Sequence, residues 1–97
     1  MVKIVYNTCY GGFGLSDAAL ELYEKLTGER RDWHGDFVRH DPYLVQVVEQ
    51  LGTEAASGPY AELAIYELPE GTRYRIDEYD GMESVMTQDD YIWIVAE

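Results

Sequence analysis

Val2-Lys3-Ile4-Val5-Tyr6-Asn7-Thr8-Cys9-Tyr10-Gly11-Gly12-Phe13-Gly14-Leu15-Ser16-Asp17 carries three signals in succession. Residues 2–6 are β-branched and aromatic and run into the turn-prone Asn7, which is the pattern of a strand. Three glycines in four positions follow, at an entropic cost that an ordinary connection need not bear. Ser16 is then a good N-cap and Asp17 complements the positive end of a helix. A strand, a glycine-rich loop and a helix are therefore expected in that order. The same layout can present backbone N–H groups to an anion. The glycine spacing, however, is neither Gly-x-Gly-x-x-Gly nor a Walker pattern with its Lys-Ser/Thr. Asp17 in the first helical turn would also oppose a phosphate.

Working outward, Ala19, Leu22, Tyr23 and Leu26 recur at helical spacing until Thr27 and Gly28 close the helix. Residues 29–36 are polar and aperiodic, as in an exposed connection. Asp41 as N-cap, Pro42 at the first helical position, a stripe of Leu44, Val47, Val48 and Leu51, and Gly52 as the stop define a second helix. Residues 53–59 suit a turn or a single helical turn. From Tyr60 onward the pattern becomes strand-like. Residues 61–68 and 73–79 read as a hairpin about the turn at 69–72, with Tyr74 and Ile76 alternating against Arg73, Arg75 and Asp77. Asp80-Gly81 closes the second of these strands, residues 82–90 read as an acidic connection, and residues 91–96 form an apolar final strand.

The order β-α-α-β-β-β predicts an α+β fold of two layers. A small, mostly antiparallel sheet carries both helices on one face. The first strand must join the C-terminal strands, since alone it would leave its backbone groups unpaired. With 97 residues and no internal repeat or linker, residues 1–97 are expected to form a single domain. Apolar residues make up 46% of the chain, too many for a disordered acidic protein. The absence of a long apolar run or a signal-peptide pattern points to a protein that stays inside the cell. One cysteine excludes an internal disulfide framework and a zinc site of several thiolates, and no cofactor motif is present.

The net charge is −12, and residues 61–97 contribute most of it, with two basic against ten acidic residues. Such a surface repels nucleic acid and anionic membranes and attracts a basic partner.

Two readings of the loop stay open. In one, Asn7, Thr8, Cys9, Tyr10, Gly11, Gly12, Phe13 and Gly14 bind a host protein or a small molecule, together with the helix start Arg39-His40-Asp41. In the other, the loop is a tight turn that lets Tyr10 and Phe13 pack. Cys9 lies near a helix N-terminus, where thiolates are favoured, so a Cys9-dependent enzyme with His34 or His40 as base is a further alternative. Asp77, Glu78, Asp80 and Glu83, followed by Asp89 and Asp90, have no basic residue within their span and do not match the calcium-loop spacing. They read either as a solvated hairpin or as a row of carboxylates that mimics nucleic-acid phosphates and blocks a basic host complex. Tyr66, Tyr74, Tyr79, Tyr91 and Trp93 are strand-pairing residues by default, and an exposed subset would suit a binding surface.

The opening from Lys3 to Ser16, with its Asn-Thr-Cys-Tyr-Gly-Gly-Phe-Gly-Leu-Ser run, resembles a family of small uncharacterised bacteriophage and prophage proteins. Arg39-His40-Asp41-Pro42, the stretch from Leu51 through Ala55-Ala56, Leu68-Pro69 and Ile76-Asp77-Glu78-Tyr79-Asp80-Gly81 look like further landmarks of that family, so the resemblance spans nearly the whole chain. It implies a setting, a phage-encoded protein made in the cytoplasm of an infected bacterium, and no activity; by analogy with that setting, small acidic non-enzymatic phage proteins often resemble inhibitors of host defence. It carries over no catalytic residue.

Overall fold

Ser16 starts the first helix as its sequence requires. Its hydroxyl accepts a hydrogen bond from the Ala19 N–H at 3.2 Å and donates one to the Ala55 carbonyl at 2.7 Å. The structure, a computed structural model, describes residues 1–30, 37–87 and 96. Most of the expected connection at 29–36, with His34, and almost all of the expected final strand at 91–96, with Tyr91 and Trp93, lie outside the described residues. So do Asp89 and Asp90.

The elements are β1 (Val2–Asn7), α1 (Asp17–Thr27), α2 (Pro42–Leu51), the short α3 (Thr53–Ala56), β2 (Leu63–Leu68), β3 (Tyr74–Tyr79) and β4 (Met82–Thr87). This is the expected α+β fold, with antiparallel strands and the expected order of helices and strands. Gly28 ends α1 in the left-handed region at φ 77°, and its N–H reaches the Glu24 carbonyl. Asp41 caps α2, accepting from the Tyr43 N–H at 2.9 Å, and Pro42 follows where no N–H is needed.

β1 is covered on both faces, and Ile4 and Val5 are both fully buried. Successive strand residues point to opposite faces, so these two belong to different clusters. Val5 packs with Leu15, Ala19, Tyr23, Phe37, Ala56, Leu63 and the α2 stripe of Leu44, Val45, Val47 and Val48. Ile4 packs with Leu68 and Val85, flanked by Val2, Tyr6, Tyr74 and Ile76. Helices thus cover one face of the β1–β2 ladder and the β3–β4 hairpin covers the other. Each fully buried Val or Leu contributes roughly 1.5–3 kcal/mol, so the α2 stripe is the main anchor of the helical layer.

Two local readings are corrected. Residues 61–68 and 73–79 do not pair as a hairpin. β2 pairs with β1 from Val2↔Leu68 to Asn7↔Leu63, and β3 pairs with β4 from Tyr74↔Thr87 to Tyr79↔Met82. Among the described residues the strands accordingly form two two-stranded ladders. Residues 82–87, expected as a connection, are a strand. The reason is Asp80-Gly81, with φ values of 52° and 93°. Positive φ at both central residues is what a two-residue type I′ turn requires, and its twist matches a tight hairpin.

Candidate functional site

The glycine-rich loop does not stand free. From Thr8 to Ser16 it runs alongside residues 56–62, the connection between α3 and β2. At one end, the Ser16 N–H donates to the Ala56 carbonyl and the Gly58 N–H to the Gly14 carbonyl, both at 2.9 Å. At the other, the Thr8 N–H and hydroxyl both donate to the Glu62 carbonyl at 2.8 Å, and the Cys9 thiol donates to the Tyr60 carbonyl at 3.2 Å. Between these ends the two backbones approach so closely that a Cβ on Gly11 would lie 1.7 Å from the Tyr60 carbonyl oxygen. Gly12 is constrained differently: it has open space but a φ of +92°.

Asn7 ties this pair of segments to the β3–β4 turn. Its side chain is fully buried and every polar atom of it is used. Nδ2 donates to the carbonyls of Cys9 at 2.7 Å and Gly81 at 2.8 Å. Oδ1 accepts from the Glu62 N–H at 2.8 Å and, more weakly, from the Cys9 thiol at 3.5 Å. Two carbonyls on one side and an N–H on the other fix the orientation of the amide. The turn itself is pressed against the loop, since a Cβ on Gly81 would lie 2.3 Å from the Tyr10 carbonyl oxygen.

Behind Asn7 lies an internal ion pair. Arg39 and Glu83 make a two-pronged contact, Nη1 to Oε1 and Nη2 to Oε2, the latter at 2.8 Å, with side chains only 18% and 7% exposed. Glu83 Oε1 also accepts the Asn7 N–H at 2.9 Å, and the Arg39 carbonyl accepts the Val5 N–H at 2.9 Å. The guanidinium lies 3.7 Å above the Phe13 ring. The N–H groups of Val5 and Asn7 are thereby satisfied by one residue pair instead of a neighbouring strand.

The expected site residues therefore separate. Asn7, Thr8, Cys9, Gly11 and Gly14 are held by internal contacts, Phe13 packs between Arg39 and Phe37, and Tyr10 projects into solvent at 60% exposure. Arg39, His40 and Asp41 do not converge on one ligand. Arg39 turns inward, His40 Nδ1 shares a hydrogen bond of 2.5 Å with the Tyr74 hydroxyl, and Asp41 caps α2 while accepting the Tyr23 hydroxyl at 2.7 Å. Cys9 and His40 line different cavities and have different hydrogen-bond partners. The acidic group separates too. Glu83 is internal, Asp77 pairs with Arg75 at 2.8 Å, Glu78 accepts the Gly81 N–H at 2.7 Å, and Asp80 is exposed at the turn. Among the described residues no group of three or more His, Cys, Asp or Glu side chains is arranged to hold a metal ion, and no helix is long and apolar enough to cross a membrane.

A groove of about 560 Å³ opens beside the loop, lined by Cys9, Glu54, Ser57, Tyr60 and Glu62 among others. Tyr60 is 66% exposed at its rim, and Tyr79, next to the hairpin turn, is 78% exposed. Tyr60 is not among the expected site residues, although its position directly after Gly58-Pro59 is the signal of an exposed turn. Tyr79 belongs to the exposed subset, whereas Tyr74 is half-buried and bound to His40. The chain matches no protein-family model, and neither the curated proteins nor the solved structures contain a match to it.

Proposed function

We propose that this chain is a non-enzymatic binding protein of bacteriophage or prophage type, acting in the cytoplasm of an infected bacterium and engaging a host protein through the loop at residues 7–14. One observation supports this above others: Tyr10, a large side chain 60% exposed, stands on backbone fixed by Asn7, Gly81 and the run at 56–62. An aromatic residue displayed on a rigid loop loses little entropy on binding, which is how interface anchors reach useful affinity. A protein partner is favoured over a small molecule because the adjoining groove is open and mixed in lining, with Glu54, Glu62, Thr53 and Ser57 beside Pro59, Tyr60 and Leu63. Small-molecule sites are usually enclosed and apolar. The setting rests on the family resemblance, and with it a component of host defence becomes the expected target.

The alternatives have less support. A phosphate-like row on the hairpin would need Glu83 facing outward and Asp77 unpaired, and a Cys9 enzyme would need a base beside the thiol, a place that His40, bound to Tyr74, does not take. Photo-crosslinking in bacteria tests the proposal. A photoreactive phenylalanine derivative at position 10 is expected to capture a discrete host protein, and the same group at exposed Glu24 on α1 is not. No capture from position 10, or the same capture from both positions, would refute it.

A further inference from the structure

Three segments of chain meet at the loop end of the molecule, and each brings an exposed tyrosine. Tyr10 lies on the glycine-rich loop, Tyr60 on the α3–β2 connection and Tyr79 at the hairpin turn, with exposures of 60%, 66% and 78%. Backbone contacts join the segments: Gly11 is packed against the Tyr60 carbonyl, Gly81 against the Tyr10 carbonyl, and the Asn7 amide bridges Cys9 to Gly81. Among the described residues, none of the three tyrosines belongs to either core cluster. Aromatic residues gathered on a rigid frame without a packing role mark an interaction surface.

The charge around them indicates what the surface fits. Glu54 and Glu62 line the groove beside Tyr60, Asp80 follows Tyr79 at the exposed turn, and among the described residues the groove lining contains no lysine or arginine. Ring faces and carboxylates together are the two features that recognise a cation, the first through the ring quadrupole and the second through charge and hydrogen bonds. A guanidinium fits better than an ammonium because it stacks flat on a tyrosine while its N–H fork reaches a carboxylate. Nucleic acid and anionic membranes carry the wrong sign for a chain of net charge −12.

We infer that the surface formed by Tyr10, Tyr60 and Tyr79 with the Glu54–Glu62 groove binds an arginine-rich segment of a partner protein. The inference rests on the binding-protein reading and specifies its partner. Tyr60 stacks on a guanidinium at the rim, Glu54 and Glu62 receive its N–H groups, and Tyr10 and Tyr79 flank the adjoining residues of the segment.

The test titrates the full-length, isotope-labelled chain with an oligo-arginine peptide and with an uncharged glycine-serine peptide, following backbone amide shifts. Oligo-arginine is expected to move the amides of Cys9, Gly11, Tyr60, Glu62 and Gly81 most, and the uncharged peptide to move none. Replacing Glu54 and Glu62 together by Gln is expected to weaken binding about tenfold at low salt, and Tyr60→Ser to weaken it further. Tyr60→Ser keeps the backbone carbonyl that holds Cys9, so an unchanged amide spectrum confirms that the fold is intact. Replacing Glu21 and Glu24 on α1 by Gln changes the net charge equally and is expected to leave affinity within about twofold. Equal losses from the two pairs, or shifts spread over the whole surface, would show a diffuse counterion effect and overturn the inference. If position 10 still captures a host protein while oligo-arginine bypasses the groove, the arginine-rich partner is refuted and the binding reading stands.

Discussion

Asn7 and Glu83 show how much of this fold depends on single polar side chains. Asn7 occupies the last position of a strand, where its type suggests only a turn, yet its amide joins three segments and is fully buried. Glu83 occupies an inward position of β4 and is neutralised by Arg39, 44 residues earlier in the chain. An inward carboxylate interrupts the apolar alternation by which a strand is recognised, which is why residues 82–87 resemble a solvated connection. Burying a charge is tolerated here because both carboxylate oxygens are matched by the guanidinium and one also receives the Asn7 N–H. Glu83→Gln leaves Arg39 without its counter-charge. A destabilisation of about 3 kcal/mol is expected, toward the lower end for a broken buried pair because Arg39 keeps some solvent contact. Denaturant unfolding measures it, and a loss below 1 kcal/mol, the level of an exposed pair, would show that the contact is not a structural tie.

At the scale of the element, the glycine-rich loop is explained by two different constraints acting on adjacent residues. Gly12 needs a backbone conformation that L-residues disfavour, and Gly11 needs the volume of a missing Cβ. Gly12→Ala is expected to cost about 1–2 kcal/mol through its positive φ, with the loop otherwise in place. Gly11→Ala must push the Tyr60 carbonyl away and with it the contacts at Cys9 and Glu62, so a larger loss is expected. Thermal melts of the two variants separate these effects, and equal losses would mean that close approach is not the reason for Gly11. The hairpin turn was present in the sequence as Asp80-Gly81, the strongest short-range hairpin signal. It ends one strand and begins the next. The pairing of β2 with β1 had no comparable local mark, because a strand's choice between partners rests on faces buried at long range.

At the scale of the molecule, two apolar clusters among the described residues, on opposite faces of β1–β2, hold helices on one side and a hairpin on the other. His40 and Tyr74 connect the start of α2 to the hairpin layer through their hydrogen bond and an edge-to-face contact, with ring centroids 5.7 Å apart. Burial holds the Tyr74 phenol above its ordinary value of 10.0, against a smaller lowering by the positive charge of Arg39. The folded chain therefore binds this proton more tightly than the unfolded chain. The resulting stability is complete below about pH 10 and is lost as pH rises through the folded-state value. Stability is expected to fall with rising pH in that alkaline range, and Tyr74→Phe, which cannot ionise, to flatten part of the slope. Denaturant midpoints measured across the range provide the check, and an unchanged slope in the variant would contradict it.

The two longer helices, α1 and α2, their caps, the positions of three strands and the special status of residues 7–14 were determined by the sequence alone. Each depends on local chemistry: a hydroxyl or carboxylate at a cap, a periodic stripe, a glycine where the backbone must turn. Tertiary structure alone decided that β2 joins β1, that Glu83 belongs to the interior, and that the segments carrying Tyr10, Tyr60 and Tyr79 meet at one end. Those outcomes depend on the approach of segments 44 to more than 70 residues apart, such as Arg39 with Glu83 and Asn7 with Gly81. Partners at that separation leave no periodicity in a single chain, because the energy that selects them appears only when both are buried together.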